Sequence, residues 1–186
     1  MRARTTGVIA LQLTAIALAV VLVSGLGGCG GQADSVSDGP LSSGNGIHGP
    51  VPRGSICVPG GQAQTFGDQQ FTNYGHRAVV LDRVVLLRPQ NERLIGSYAV
   101  PGRLIVGTVP WPPTGSGLPS TWKNRRPVHG FRVSPGKSFN MVLGIEAVTP
   151  NRATSQGMLV YYHDSAGSYE AKNYYANIIA KNTHTC

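Results

Sequence analysis

The chain from residue 55 onward consists of short apolar runs separated by turn-forming residues. The runs are rich in Val, Ile, Leu, Tyr and Phe, and Gly, Pro, Asn or Ser interrupts them about every 8 to 12 residues. No segment has the period of an amphipathic helix. The pattern predicts nine β-strands, at residues 55–58, 65–73, 77–88, 94–100, 103–109, 128–133, 138–147, 156–163 and 168–180.

One predicted strand shows the alternation of a sheet with one buried face. Every second residue from Phe139 to Ile145 is apolar and large. The last apolar run, 174–180, fits either the end of a strand or one or two helical turns, and we favour the strand. About 130 residues of strands and turns predict an all-β fold, an antiparallel β-sandwich of about 7 to 9 strands in an immunoglobulin-like arrangement.

A short stretch of the chain supports that arrangement. Residues 71–75 are FTNYG, and residues 79–86 are VVLDRVVL. Here the chain resembles the immunoglobulin-like domains of many small actinobacterial lipoproteins of unknown function. The resemblance covers about a third of the chain and implies only a sandwich, since the tryptophan that antibody domains carry between two sheet-bridging cysteines is absent in that spacing.

The N-terminus has the pattern of an export signal. Two arginines precede an apolar run over residues 7–23 that only two polar residues interrupt. The run is shorter than the roughly 20 apolar residues of a membrane-spanning helix, and Ser24 and Gly25 end it. A signal peptide over residues 1–28 is therefore predicted.

The sequence Leu26-Gly27-Gly28-Cys29 follows the apolar run directly. It resembles the lipobox of bacterial lipoproteins. The resemblance implies that Cys29 is lipidated, becomes the new N-terminus and holds the protein on the extracytoplasmic face of the cell membrane, because two or more acyl chains anchor a protein stably. The alternative, a secretory signal with an incidental cysteine, does not explain a lone cysteine where the apolar run meets a glycine-rich tail.

Residues 30–54 are mostly Gly, Ser, Pro and Asp, with hardly an apolar side chain. Such a composition does not offset the entropy of ordering and predicts a disordered tether. A flexible stretch of this length spans roughly 25 to 30 Å. We therefore divide the chain into a signal peptide (1–28), a lipidated N-terminus with its tether (29–54) and a sandwich domain (55–186).

The chain is basic, with 16 Lys+Arg against 8 Asp+Glu. Loss of residues 1–28 removes two arginines and no acid, so the mature chain stays basic. The excess favours association with anionic lipid or cell-wall polymer. Nucleic acid is set aside as a partner, because the export signal places the domain outside the cytoplasm and no nucleic-acid-binding signature is present.

Cys57 and Cys186 remain once lipidation uses Cys29. An even pair of cysteines in an oxidising compartment predicts one disulfide. Closing a loop of roughly 130 residues contributes about 5 kcal/mol in the chain-entropy model. The alternatives, a reactive thiol pair or two metal ligands, lack a neighbouring CxxC or Cys/His cluster.

The segment 109–127 is too long and too rich in proline for a simple connection. Its aromatic and basic residues are of types enriched in binding hot spots. They are Trp111, Trp122, Lys123, Arg125 and Arg126. We predict that this segment contacts a protein, an envelope polymer or a small ligand; the alternative is that both tryptophans fold back and cap an open end of the sandwich.

Histidine and methionine side chains raise the alternative of a copper or zinc site. The candidates are His76, His129, His163 and His184, with Met141 and Met158. None of them has H-x-H, M-x-M or H-x-M spacing. Isolated surface histidines and core methionines are therefore favoured, and no metal or other cofactor is predicted.

An envelope enzyme is the third hypothesis. Acidic residues are few, and the sequence His163-Asp164-Ser165 holds the three residue types of a hydrolase triad. Consecutive residues of a strand point to opposite faces, so these three cannot form one relay. The sequence predicts a non-enzymatic, membrane-anchored binding module without catalytic residues.

Overall fold

The computed structural model of the chain describes residues 37–43, 53–59, 63–102, 106–115 and 117–180. All of them belong to one compact unit, Asp34–Cys186. The predicted signal peptide and lipobox with Cys29, as well as His184 and Cys186, lie outside the described residues. No helix within the described residues is long and apolar enough to cross a membrane.

The described residues form strands, turns and one short 3₁₀ helix, Ser120–Asn124. The twelve strands in this part of the chain are β1 (Ser37–Asp38), β2 (Leu41–Ser42), β3 (Arg53–Pro59), β4 (Gln64–Asn73), β5 (Val79–Leu86), β6 (Glu92–Pro101), β7 (Arg126–Pro127), β8 (Arg132–Val133), β9 (Ser138–Ala147), β10 (Ala153–Ser155), β11 (Met158–His163) and β12 (Ser168–Ala180). The predicted all-β, sandwich-like fold is confirmed, with twelve strands in the described residues instead of about 7 to 9.

The strands form two sheets. The five-stranded sheet has the order β2-β4-β9-β6-β7, and the seven-stranded sheet has the order β1-β12-β11-β5-β8, with β3 and β10 also paired to β12. Both β1 and β3 run parallel to β12. Apart from these two parallel pairings, the strand pairs named here are antiparallel, as predicted, and the immunoglobulin-like arrangement stays a prediction.

Two predicted strands differ from the structure. Residues 106–109 are not a strand: the backbone turns at Gly107 (φ 69°), and the segment attaches to the edge of β4 by isolated hydrogen bonds. Of the predicted strand 128–133, only β8 is a strand, and it pairs with β5. Gly130 and Phe131 are also hydrogen-bonded to the backbone of Leu81 in β5. Residues 128–131 form a turn instead, in which the Phe131 amide donates to the Val128 carbonyl at 3.0 Å.

The predicted tether is ordered at residues 37–43, contrary to expectation. Leu41, a lone large aliphatic side chain in this stretch, is 3% exposed in the core, and its amide donates to the Tyr162 hydroxyl at 3.0 Å. One well-placed apolar residue with short strand pairs is thus enough to dock the segment. Strand β3 also begins within the predicted tether, at Arg53, and residues 30–36 and 44–52 lie outside the described part.

The main core lies between the two sheets. Phe71 and Phe139 stack there with ring centroids 5.6 Å apart, beside the fully buried Phe66 and Tyr162. Burial of each such side chain stabilises the fold by about 1.5 to 3 kcal/mol. Strand β9 is buried along both of its faces from Phe139 to Ile145, so a further segment must cover the outer face of the five-stranded sheet.

Candidate functional site

The segment that covers this face is the one singled out in the sequence. We call residues 106–127, apart from residue 116, the strap. It starts along the edge of β4, where the Thr65 amide donates to the Val109 carbonyl at 2.8 Å and the Trp111 amide donates to the Ala63 carbonyl at 3.0 Å. It ends at the opposite edge, where β7 pairs with β6. The strap therefore runs from the edge of β4 across β9 to β6.

The strap buries a second apolar cluster, separate from the main core. Val100 and Val142 of the sheet pack with Val106 and Trp122 of the strap, and all four are buried. Trp122 is 7% exposed, whereas Trp111 is half-buried. Both tryptophans fold back onto the domain, in agreement with the alternative interpretation of the sequence. They cover a face of the sheet, however, rather than an open end of the sandwich.

Two glycines make room for the Trp111 indole. Gly96 of β6 and Gly144 of β9 are direct neighbours in the sheet. A Cβ atom on Gly144 would lie 2.3 Å from Trp111 Cδ2, and one on Gly96 would lie 2.4 Å from Cζ2. Such contacts are far inside van der Waals distance, so only glycine lets the indole lie flat on the sheet at these positions.

Tyr98 contacts both tryptophans and is a site residue that the sequence analysis did not predict. Its ring stacks on Trp111 at 5.6 Å and meets Trp122 edge-on, also at 5.6 Å. The available signal was the alternation along β6, which puts Gly96, Tyr98 and Val100 on one face. Aromatic pairs in these geometries add about 0.5 to 1.5 kcal/mol each beyond their area burial.

The outer surface of the strap carries three exposed basic residues, Lys123, Arg125 and Arg126, which we call the basic ridge. The Arg125 guanidinium lies 4.8 Å from the Trp122 ring centroid and 5.7 Å from that of Tyr98. Its Nη1 donates to the Trp122 carbonyl at 3.3 Å. The ion pairs found in the described residues do not include any member of the ridge.

The predicted binding residues therefore divide into two groups. Trp111 and Trp122 stabilise the strap from inside, while Lys123, Arg125 and Arg126 face solvent. Because the aromatic rings fix the Arg125 guanidinium, less side-chain entropy is lost when a partner binds it. The basic ridge is therefore an ordered, positively charged surface that is suited to binding negatively charged groups.

The candidate metal ligands in the described part of the chain do not form one cluster, although His129 and His163 both contact Asp82. His76 is exposed in the β4–β5 connection, and Met141 and Met158 are fully buried core residues. His163 Nδ1 donates to Asp82 Oδ1 at 2.8 Å, and His129 Nδ1 contacts the Asp82 carbonyl at 3.2 Å. Within the described residues no group of three His, Cys, Asp or Glu side chains is placed to hold a metal ion.

His163 and Asp164 of the triad-like sequence have separate partners. His163 pairs with Asp82, whereas the Asp164 carboxylate accepts from the Ala166 and Gly167 amides of the β11–β12 turn, at 2.6 and 3.2 Å. Asp164 therefore stabilises a turn. The structure does not bring these consecutive residues together as one relay.

A buried polar chain links the two sheets at another place. Gln69 Nε2 donates to Asn177 Oδ1 at 3.2 Å, and Asn177 Nδ2 donates to Ser155 Oγ at 3.2 Å. Glu92 lies near Ser155 and is 8% exposed. Burial raises the pKa of Glu92 to about 7, and the nearby Ser155 side chain lowers it to a smaller extent. Neither carboxylate oxygen of Glu92 has a hydrogen-bond partner within the described residues.

Comparisons with known proteins identify no family for this chain. No family model and no curated protein matches it. Among solved structures, it is similar to the VesB protease of Vibrio cholerae (9% identity, TM-score 0.38, 70% of this chain and 30% of that one). It is also similar to PapD-like domain 7 of human CEP192 (7%, 0.34, 70% and 82%) and to the secreted serine protease VesC of Vibrio cholerae (11%, 0.30, 66% and 21%). Likenesses at these scores carry no functional argument.

Proposed function

We propose that this protein is a lipid-anchored, extracytoplasmic binding module that docks an anionic polymer of the cell envelope through the basic ridge, without catalysing a reaction. The observation that carries the proposal is the Arg125 guanidinium held over the rings of Trp122 and Tyr98. A preorganised arginine flanked by Lys123 and Arg126 offers charge-assisted hydrogen bonds to sulfate, phosphate or carboxylate groups.

The choice of a polymer follows from the shape and charge of this surface. The ridge is an exposed row on a strap rather than the wall of an enclosed pocket, so it suits a repeating ligand that lies along it. The mature chain is basic overall, which raises the local concentration of such a polymer. A lipid anchor at Cys29 keeps the domain within the envelope where it meets that ligand.

The ridge variant K123Q/R125Q/R126Q is expected to lose retention on immobilised dextran sulfate. The wild-type mature chain should need clearly higher salt for elution, because screening weakens exposed charge pairs. The matched control, R77Q/R83Q/R88Q, removes the same formal charge from exposed arginines elsewhere, one of them, Arg83, stacked on Tyr161. Equal loss of retention in the two variants would mean that net charge alone binds the polymer, and would refute the ridge as the site.

The lipid anchor has its own test. The intact mass of the protein from bacterial membranes should correspond to a chain that starts at Cys29 and carries acyl groups. A Cys29→Ala variant should leave the membrane fraction or stay uncleaved. A wild-type chain that begins at another residue, or that has no lipid mass, would contradict the anchor.

We also propose that Cys57 pairs with Cys186. Strand β3 places Cys57 directly beside Ile178 of β12, and β12 ends at Ala180, a few residues before Cys186 along the chain. The few residues between Ala180 and Cys186 are enough chain length to bring the two cysteines together. Intact masses measured before and after reduction should differ by the mass of two hydrogens.

A further inference from the structure

A cleft of about 650 Å³ opens near the β8–β9 turn, apart from the basic ridge residues. This volume lies in the range of small-molecule sites. The cleft combines two cations, two apolar rings and polar side chains, and no acidic residue is among the described residues that line it. The charged, apolar and polar residues among those that line the cleft include Gln70, Pro101, Phe131, Arg132, Lys137 and Ser138.

The first wall of the cleft is the β8–β9 turn, and buried Asn73 holds it. Asn73 Nδ2 donates to the Val133 carbonyl at 3.0 Å, and the Asn73 amide donates to the Lys137 carbonyl at 3.0 Å. The Gly136 amide in turn donates to the Asn73 carbonyl at 2.8 Å. Asn73 is fully buried, so the turn that carries Lys137 is fixed from below at three points.

The second wall is the end of β6, and buried Asn140 holds it. Asn140 Nδ2 donates to the Gly102 carbonyl at 3.2 Å, and the Gly102 amide donates to the Ser138 carbonyl at 2.9 Å. The Ser138 hydroxyl is also hydrogen-bonded to the Thr72 hydroxyl at 2.8 Å. Hydrogen bonds within the protein therefore hold both walls in place, and this preorganisation lowers the entropic cost of binding a ligand.

We propose that this cleft binds a small organic anion in which a phosphate or carboxylate group is attached to an apolar ring. Arg132 and Lys137 supply positive charge for the anionic group, and the Ser138 and Gln70 side chains add polar contacts. Phe131 and Pro101 offer apolar surface for the ring. The cleft is distinct from the ridge and does not depend on the polymer-binding proposal.

The test is an NMR titration of the mature chain, with Cys29→Ser to prevent lipidation, using phenyl phosphate as the probe. We expect saturable shifts of the amides of Phe131, Arg132, Lys137 and Ser138. An R132Q/K137Q variant with an unchanged fold should bind phenyl phosphate at least ten-fold more weakly. Benzoate should compete for the same amides, since it shares the anionic group and the ring.

Two further probes and one variant make the test decisive. Benzyl alcohol, which lacks the charge, and inorganic phosphate, which lacks the ring, should each bind at least ten-fold more weakly than phenyl phosphate. The ridge variant K123Q/R125Q/R126Q should bind phenyl phosphate as the wild type does. Equal affinity of R132Q/K137Q and wild type, or equal affinity for either partial probe, would overturn the proposal whether or not the ridge binds a polymer.

Discussion

Replacement of Trp122 by alanine is expected to lower the free energy of unfolding by about 3 to 5 kcal/mol. Trp122 is 7% exposed and is the largest buried side chain that the strap contributes to the second apolar cluster. Its removal leaves a cavity over Val100 and Val142 and takes away the edge-on contact with Tyr98. It also removes the ring under Arg125, so the ridge loses its order together with the cluster.

Chemical denaturation of Trp122→Ala, Trp122→Phe and wild type measures this effect. Phenylalanine should restore a part of the lost stability, because it refills some of the volume. Arg126→Gln is the control on the same strap, and its exposed side chain should change stability by less than about 0.5 kcal/mol. A loss below about 1 kcal/mol for Trp122→Ala would mean that the strap is not packed on the sheet.

Replacement of Glu92 by glutamine is expected to stabilise the protein at pH 8 by about 1 to 3 kcal/mol. Burial raises the pKa of Glu92 from 4.5 to about 7, so the folded state holds a proton that the unfolded chain has released. The stability linked to this proton is fully present below about pH 4.5 and is lost as the pH rises through about 7. At pH 8 the buried carboxylate is charged and destabilises the fold, whereas glutamine stays neutral.

The measurement is the free energy of unfolding of Glu92→Gln and wild type at pH 4.5, 6 and 8. The advantage of the variant should be small at pH 4.5 and grow toward pH 8. Glu146→Gln is the matched control, because Glu146 makes a surface ion pair with Arg93, and exposed pairs contribute at most about 1 kcal/mol. An effect of Glu92→Gln that does not change with pH would contradict the buried, proton-binding carboxylate.

Local pattern explains which parts of the fold the sequence could predict. The alternation from Phe139 to Ile145 repeats every two residues, and this period is the same wherever the strand lies in the sheet. Likewise, the apolar residues of β5 and β11 mark strands from their composition. These features need no knowledge of distant contacts, and the all-β sandwich follows from them.

The rest depends on contacts between segments far apart in the chain. The position of Trp111 is decided by Gly96 and Gly144, and each glycine taken alone has no feature that marks it as a docking surface. The docking of Leu41 also depends on residues far away in the chain, so the composition of its own segment does not predict it. Glu92 carries a charge, which predicts exposure, and its burial follows from the approach of β10, with Ser155, to the start of β6.

The same dependence explains why the candidate site was only partly predicted. The sequence indicated the segment and its basic residues, but it could not decide between free and packed tryptophans. Packing decides the roles, because buried Trp122 supports the surface while exposed Arg125 presents it. Substitution of the tryptophans therefore changes folding and binding together, and only ridge substitutions separate the two.

The most direct test of the proposed function is an NMR titration of the mature chain, with Cys29→Ser, with a short dextran sulfate. We expect the largest shifts at the backbone amides of Lys123, Arg125 and Arg126, with the strap still packed on the sheet. Uncharged dextran of the same length should cause no shifts. Largest shifts on the opposite sheet or in the cleft, or uniform small shifts over the whole surface, would contradict the basic ridge as the binding site.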